Sequence, residues 1–148
     1  MLAVKYGTPA QGKKKENGDS PTPTPTPVLL WTNPDPSVSF AEQDVTLSDS
    51  VANYSKMRVE FYRTTTDRAY LGTFDFPVML PDNSGYMYAT GASRLKIALS
   101  WWTSGSDAYA RQGAIKSDTV FHFFANRRIN TSGTTNTHMI PYKLYGIR

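Results

Sequence analysis

Apolar and polar residues alternate along most of the chain beyond residue 27. In residues 56–62, Met57, Val59 and Phe61 fall on one face, and Arg58, Glu60 and Tyr62 on the other. Residues 94–102 repeat the pattern, with Leu95, Ile97, Leu99 and Trp101 opposed to Lys96, Ala98, Ser100 and Trp102. Residues 118–124 set Val120, His122 and Phe124 against Phe121 and Phe123. A period of two gives a strand two unlike faces, so each segment predicts a β-strand. Weaker patterns predict further strands at 28–32, 44–47, 70–74, 86–90, 108–115 and 139–147. Turn chemistry separates them: Asn33-Pro34-Asp35-Pro36, Pro81-Asp82-Asn83-Ser84-Gly85, Ser104-Gly105-Ser106 and Asn130-Thr131-Ser132-Gly133. No segment sustains a helical stripe, and residues 49–54 allow one helical turn at most. Short strands with regular turns predict an all-β fold, an antiparallel β-sandwich of the jelly-roll kind. No internal repeat is evident, which counts against a β-helix or fibrous shaft.

The alternation begins abruptly. Ahead of it stand Lys13-Lys14-Lys15 and then the run Pro21-Thr22-Pro23-Thr24-Pro25-Thr26-Pro27. Proline at every second position fixes φ and removes amide donors, so this piece cannot join a helix or the middle of a sheet. Polyproline II at about 3 Å per residue is its natural form. Residues 1–27 therefore read as an extended Pro-rich arm, and residues 28–148 as the β-domain. Alone, such an arm is a disordered linker; laid along a neighbouring subunit, it is an anchor, with Lys13, Lys14, Lys15, Pro21, Pro23, Pro25 and Pro27 as the contacting residues.

Composition narrows the chemistry. The chain has 148 residues, enough for one domain with a real core, and no cysteine, which removes disulfides, thiolate metal sites and cysteine nucleophiles. The net charge of +4 is divided. Four lysines against Glu16 and Asp19 leave +2 in the arm, so the domain is nearly neutral and nucleic acid is not an expected partner. Lys13-Lys14-Lys15 lacks interleaved aromatics and suits a solubilising patch or an acidic protein groove better than phosphates. No stretch reaches the roughly 18 apolar residues of a membrane span. Met1-Leu2-Ala3-Val4 breaks at once into Lys5-Tyr6-Gly7, so no secretion signal is expected.

Catalytic patterns are sparse. His122 and His138 lie in no HxxxH, HxE or HxH spacing, and read as structural or exposed. There is no GxSxG elbow and no glycine-rich phosphate loop after a strand, so neither an enzyme nor a cofactor is expected. Glycan hydrolysis would require two carboxyls roughly 5–10 Å apart. Glu42, Glu60, Asp75 and Asp82 are available, but nothing in the sequence pairs them. Aromatics make up 13% of the chain, and here they bear on function. Adjacent Trp101 and Trp102 on a strand face opposite ways, so one ring enters the core and the other meets the outer face or an interface. Tyr86 and Tyr88 share a face. Exposed rings beside polar loops stack on sugars or fill protein pockets. The candidate contact surface is therefore Trp102, Tyr86 and Tyr88 with the loop residues Asp82, Asn83, Ser104 and Asp107.

The domain's two ends carry a resemblance. Leu30-Trp31-Thr32-Asn33-Pro34, then Ser39-Phe40-Ala41-Glu42-Gln43 and Val45-Thr46-Leu47, resembles the "LWTNP…FAxQ" opening of a module common in tailed-bacteriophage structural proteins. Residues 54–61 look like the strand that follows it. Ile140-Pro141-Tyr142-Lys143-Leu144-Tyr145-Gly146-Ile147-Arg148 is similar to the "IPxKIYGIK" ending of the same module. The match covers the edges of the domain well and its middle poorly, and it brings no catalytic motif. It implies a virion component made in the host cytoplasm, such as a tail-fibre or receptor-binding part that touches a bacterial surface glycan or protein. The arm would join it to other capsid or tail proteins. A homo-oligomer is expected, with a trimer the state that analogy offers. A different class of function, a capsid decoration or head-fibre protein that clamps shell subunits, fits the same arm and domain.

Overall fold

The alternating segments fold as strands. The structure, a computed structural model, describes residues 23–78, 97–104, 107–131 and 133–148. In chain order its strands are β1 (Val28–Thr32), β2 (Gln43–Thr46), β3 (Lys56–Thr64), β4 (Tyr70–Pro77), β5 (Ile97–Ser104), β6 (Asp107–Ser117), β7 (Val120–Phe123), β8 (Arg127–Arg128) and β9 (His138–Ile147). The helical turn allowed at 49–54 is a single 3-10 turn, Val51–Asn53, whose N-cap Ser50 accepts from the Ala52 amide. The strand expected at 86–90 and the start of the one expected at 94–102 lie outside the described residues. So do Lys13, Lys14, Lys15 and Pro21 of the arm, while Pro23, Pro25 and Pro27 are exposed and outside any strand.

The strands form two antiparallel sheets. One has the order β1-β9-β3-β4; the other has β2-β7-β6-β5, with β8 paired to β6. Tyr109 of β6 pairs with Trp102 on one side and Arg128 on the other, so β8 shares the edge of β6 that β7 occupies. The faces follow the period of two. Met57, Val59 and Phe61 are fully buried, as are Phe121 and Phe123. One cluster of buried residues draws on both sheets. Trp31 lies 5.6 Å from Phe123, and Phe76 5.8 Å from Phe121, ring centre to ring centre. Aromatic pairs at such separations contribute about 0.5–1.5 kcal/mol each beyond the area they bury.

The first and last strands form a clasp. β1 pairs with β9 from Val28↔Gly146 to Thr32↔Lys143. Beyond the last pair, the Asn33 amide donates to the Tyr142 carbonyl at 2.8 Å. The buried Asn33 side chain donates from Nδ2 to the Pro141 carbonyl at 2.9 Å, and its Oδ1 accepts from the Asp35 amide at 3.1 Å. Proline inside a central strand is tolerated at bulges. Pro141 obeys that rule: the β3–β9 register shifts between Glu60 and Phe61, which pair with Lys143 and Pro141. Asn33→Ala removes a buried donor and an acceptor together, and should destabilise the domain by about 2 kcal/mol in urea unfolding. A loss below about 0.5 kcal/mol would show that the clasp rests on the ladder alone.

Candidate binding surface

The sequence-derived contact surface is only partly described. Tyr86, Tyr88, Asp82 and Asn83 lie outside the described residues, as does the side chain of Trp102, whose backbone pairs with Tyr109. Ser104 and Asp107 close the β5–β6 ladder as its last pair.

Asp107 opens onto a polar network. Its Oδ2 accepts from Nη2 of Arg128, and the Tyr109 hydroxyl lies 3.4 Å from the same oxygen. The Tyr109 ring stacks on His138 at 4.4 Å and 11°. Burial, and then the nearby Arg128 guanidinium, hold the His138 imidazole below its ordinary value. Its Nδ1 lies 3.1 Å from the hydroxyls of both Thr135 and Thr137.

On the other side of Arg128 lies a cleft of about 500 Å³. Ala110 and Gln112 of β6 line it, with Ala125 from the exit of β7. Its remaining wall is the hairpin that carries β8: Arg127, Arg128, Ile129, Thr131, Gly133 and Thr134. The hairpin is held by the Arg127↔Thr134 bridge, by the Arg128 amide on the Gly133 carbonyl at 3.0 Å, and by the Ile129 amide on the Ala108 carbonyl at 2.6 Å. Ile129 remains 58% exposed, so the rim offers apolar surface next to a guanidinium. Arg127 is exposed and makes no ion pair among the described residues. The sequence signal for this cleft was the adjacent pair Arg127-Arg128 before the Asn130–Gly133 turn, with an apolar Ile129 between them.

A second polar group crosses the outer face of β2 and β7. The His122 Nδ1 lies 2.7 Å from Asp44 Oδ1, and its Nε2 lies 3.2 Å from Glu42 Oε1. Lys116 pairs with the other Asp44 oxygen, and Glu42 Oε2 accepts from the Ala125 amide at 3.3 Å. For Asp44, burial opposes ionisation, but the hydrogen bonds and charges of Lys116 and His122 outweigh it and leave the carboxyl below its usual range. His122 is thus braced from both ring nitrogens, which suits a fixed surface strut. Of the other acids considered above, Asp75 forms a two-pronged pair with Arg58 at 2.6 and 2.8 Å, which holds its carboxyl low. A cleft of about 380 Å³ beside the clasp is lined by Trp31, Asn33, Asp35, Val38, Phe40 and Asp44, among others. Among the described residues, no group of three or more His, Cys, Asp or Glu could hold a metal ion, and no helix is long and apolar enough to cross a membrane.

The residue that sequence reasoning missed altogether is Arg111. It sits in mid-β6 and is fully buried, facing the core with Tyr109 and Ile115. No carboxylate among the described residues meets it. Instead Nε donates to the Met139 carbonyl at 2.8 Å, Nη1 to Phe124 at 2.9 Å, and Nη2 to Phe40 at 3.1 Å and His138 at 3.4 Å. Burial pushes the guanidinium down to about 9, which leaves it charged at neutral pH. Met139 adopts φ 48, a left-handed conformation that costs a bulky L residue roughly 1–2 kcal/mol. Its carbonyl is the one at Nε. One cation thereby fixes the entry to β2, the exit of β7 and the start of β9, and its chain neighbours Ala110 and Gln112 line the 500 Å³ cleft.

Compared with protein-family models and with curated proteins, the chain matches none.

Proposed function

We propose that this chain is a structural protein of a tailed-bacteriophage virion. Residues 1–27 anchor it to other virion proteins, and residues 28–148 carry adhesion to the bacterial surface as part of a tail fibre or receptor-binding structure. In this reading the two sheets stack as a jelly-roll-like sandwich around their shared aromatic core, and copies associate, as a trimer by analogy.

The observation that carries the reading is the clasp. The opening and closing segments that resemble the phage module stand 108 positions apart at Asn33 and Pro141, yet they are joined by hydrogen bonds into one piece. Their shared residues are framework rather than reaction chemistry, as a display module requires. A second feature supports anchoring at this edge: the exposed residues 23–27 lead into edge strand β1, where Val28 and Leu29 are exposed. Weak sites repeated on one particle then bind strongly together.

Deleting residues 1–27 tests the anchor. The truncated domain should melt as the full chain does but fail to join particles; normal docking by the truncated domain would remove the arm from the reading. Cryo-electron microscopy of the particle tests the role. Density at the tail tip or fibre supports adhesion, whereas copies spread over the shell lattice would make the chain a decoration or head-fibre protein.

A further inference from the structure

We propose that the cleft between β6 and the β8 hairpin is a subsite for an acidic saccharide, with Arg127 binding the carboxylate or phosphate of the sugar. The assignment of its ligand to a bacterial surface rests on the adhesion role proposed above; the chemistry of the site does not.

Size sets the first limit. A space of about 500 Å³ falls within the range of small-ligand sites and holds one or two sugar rings. Charge sets the second. Asp107 neutralises Arg128, but Arg127 on the same wall has no carboxylate among the described residues. Among the described residues the cleft therefore presents one guanidinium without a counter-charge, whose planar fork matches a carboxylate or phosphate in two-pronged fashion. The rest of the lining favours a hydroxyl-rich ligand. The Gln112 amide and the Thr131 and Thr134 hydroxyls each both donate and accept, which is what sugar hydroxyls require. Ala110, Ala125 and Ile129 supply apolar surface for the C–H face of a ring. An extended peptide is disfavoured for a separate reason. Peptides commonly bind by adding a strand to an open edge, and here β8 already occupies the edge of β6 at Tyr109 and Ala110.

The site is preorganised. The Arg111 clamp, the Arg127↔Thr134 bridge and the Arg128–Asp107 pair fix its walls without using the Arg127 guanidinium. Little ordering remains to oppose binding, so a small ligand can be held by few contacts.

The test is a two-dimensional NMR titration of the full chain with four probes: trigalacturonate, glucose 1-phosphate, a neutral galactose trimer and a glutamate-rich peptide of matching charge. Shifts should centre on the amides of Ala110, Gln112, Arg127 and Thr134. At least one acidic sugar should bind about tenfold more tightly than the neutral trimer, as expected for a charge-assisted contact. Binding of trigalacturonate assigns uronic acids, and binding of glucose 1-phosphate assigns phosphate-bearing sugars. Arg127→Gln should weaken the acidic sugar about tenfold without moving the melting temperature, because Arg127 is exposed and makes no ion pair among the described residues. Equal affinity for neutral and acidic sugars, tighter binding of the peptide, no binding at all, or an unchanged affinity in Arg127→Gln would each overturn the assignment. Particles carrying Arg127→Gln separate this inference from the adhesion role. If they adsorb normally although the purified chain binds acidic sugar through the cleft, the site stands and only the assignment of its ligand to the bacterial surface falls. If no sugar binds but the chain is found at the fibre tip, the site falls and the role stands.

Discussion

Arg111→Met is expected to destabilise the domain by on the order of 4 kcal/mol, against a total stability of roughly 5–15 kcal/mol for a chain of this kind. Methionine fills much of the same volume and needs no partner, so the side chain itself is not the difficulty. The carbonyls it abandons are. Met139, Phe124 and Phe40 would keep their oxygens turned towards a thioether that cannot donate, while the His138 carbonyl would still accept from Asn126 Nδ2 at 2.9 Å. Each buried acceptor left without a partner costs about 1–3 kcal/mol, and Met139 would retain its left-handed strain with nothing to offset it. Arg111→Lys should recover only part of the loss, because three donors on one nitrogen cannot reach carbonyls spread around a planar fork. Urea unfolding followed by near-ultraviolet circular dichroism measures both variants. A Met variant within about 1 kcal/mol of the parent would mean that water or local rearrangement satisfies those carbonyls instead.

Arg111 also marks the limit of what the sequence made legible. The strands at 28–32 and 56–62 could be read because alternation reports burial directly: Leu30, Met57, Val59 and Phe61 are apolar where the chain turns inward. The same rule places Arg111 inward with Tyr109 and Ile115, but a charged residue at such a position reads as a break in the pattern. Only the convergence of three distant carbonyl-bearing segments makes it sensible, and convergence is a tertiary fact. The two-residue β8 was invisible for a related reason. It is defined by its pairing with Tyr109 and Ala110 and has no period of its own. The pairing of Asp107 with Arg128, and through it the position of the cleft, depends on that same hairpin. His122 was expected to be structural or exposed. Its flanking Phe121 and Phe123 enter the core, which turns the imidazole outward to Glu42 and Asp44. The alternation could state that it faced away from those rings, but not which carboxylates would receive it.

Gly146→Ala is expected to cost about 3 kcal/mol, at the upper end of ordinary overpacking. Gly146 lies in β9, paired with Val28 on one side and Met57 on the other, so its backbone is held from both edges. A methyl group there would stand 2.4 Å from Tyr54 Cγ and within 2.6 Å of both Cδ atoms. These atoms form the root of the ring, which moves least when a side chain rotates. The far end is fixed as well, since the Tyr54 hydroxyl donates to Asp49 Oδ2 at 2.7 Å. Neither partner can yield without breaking a hydrogen bond or a ladder. The glycine before Ile147-Arg148 is therefore required by the tyrosine that opens the segment at 54–61, a link between two parts of the sequence pattern that only the packed sheets reveal. A double-mutant cycle isolates the contact. In a Tyr54→Ala background, where the ring is gone, Gly146→Ala should become close to neutral. If it remains equally costly there, the penalty comes from the β9 backbone and the ring contact is not its source.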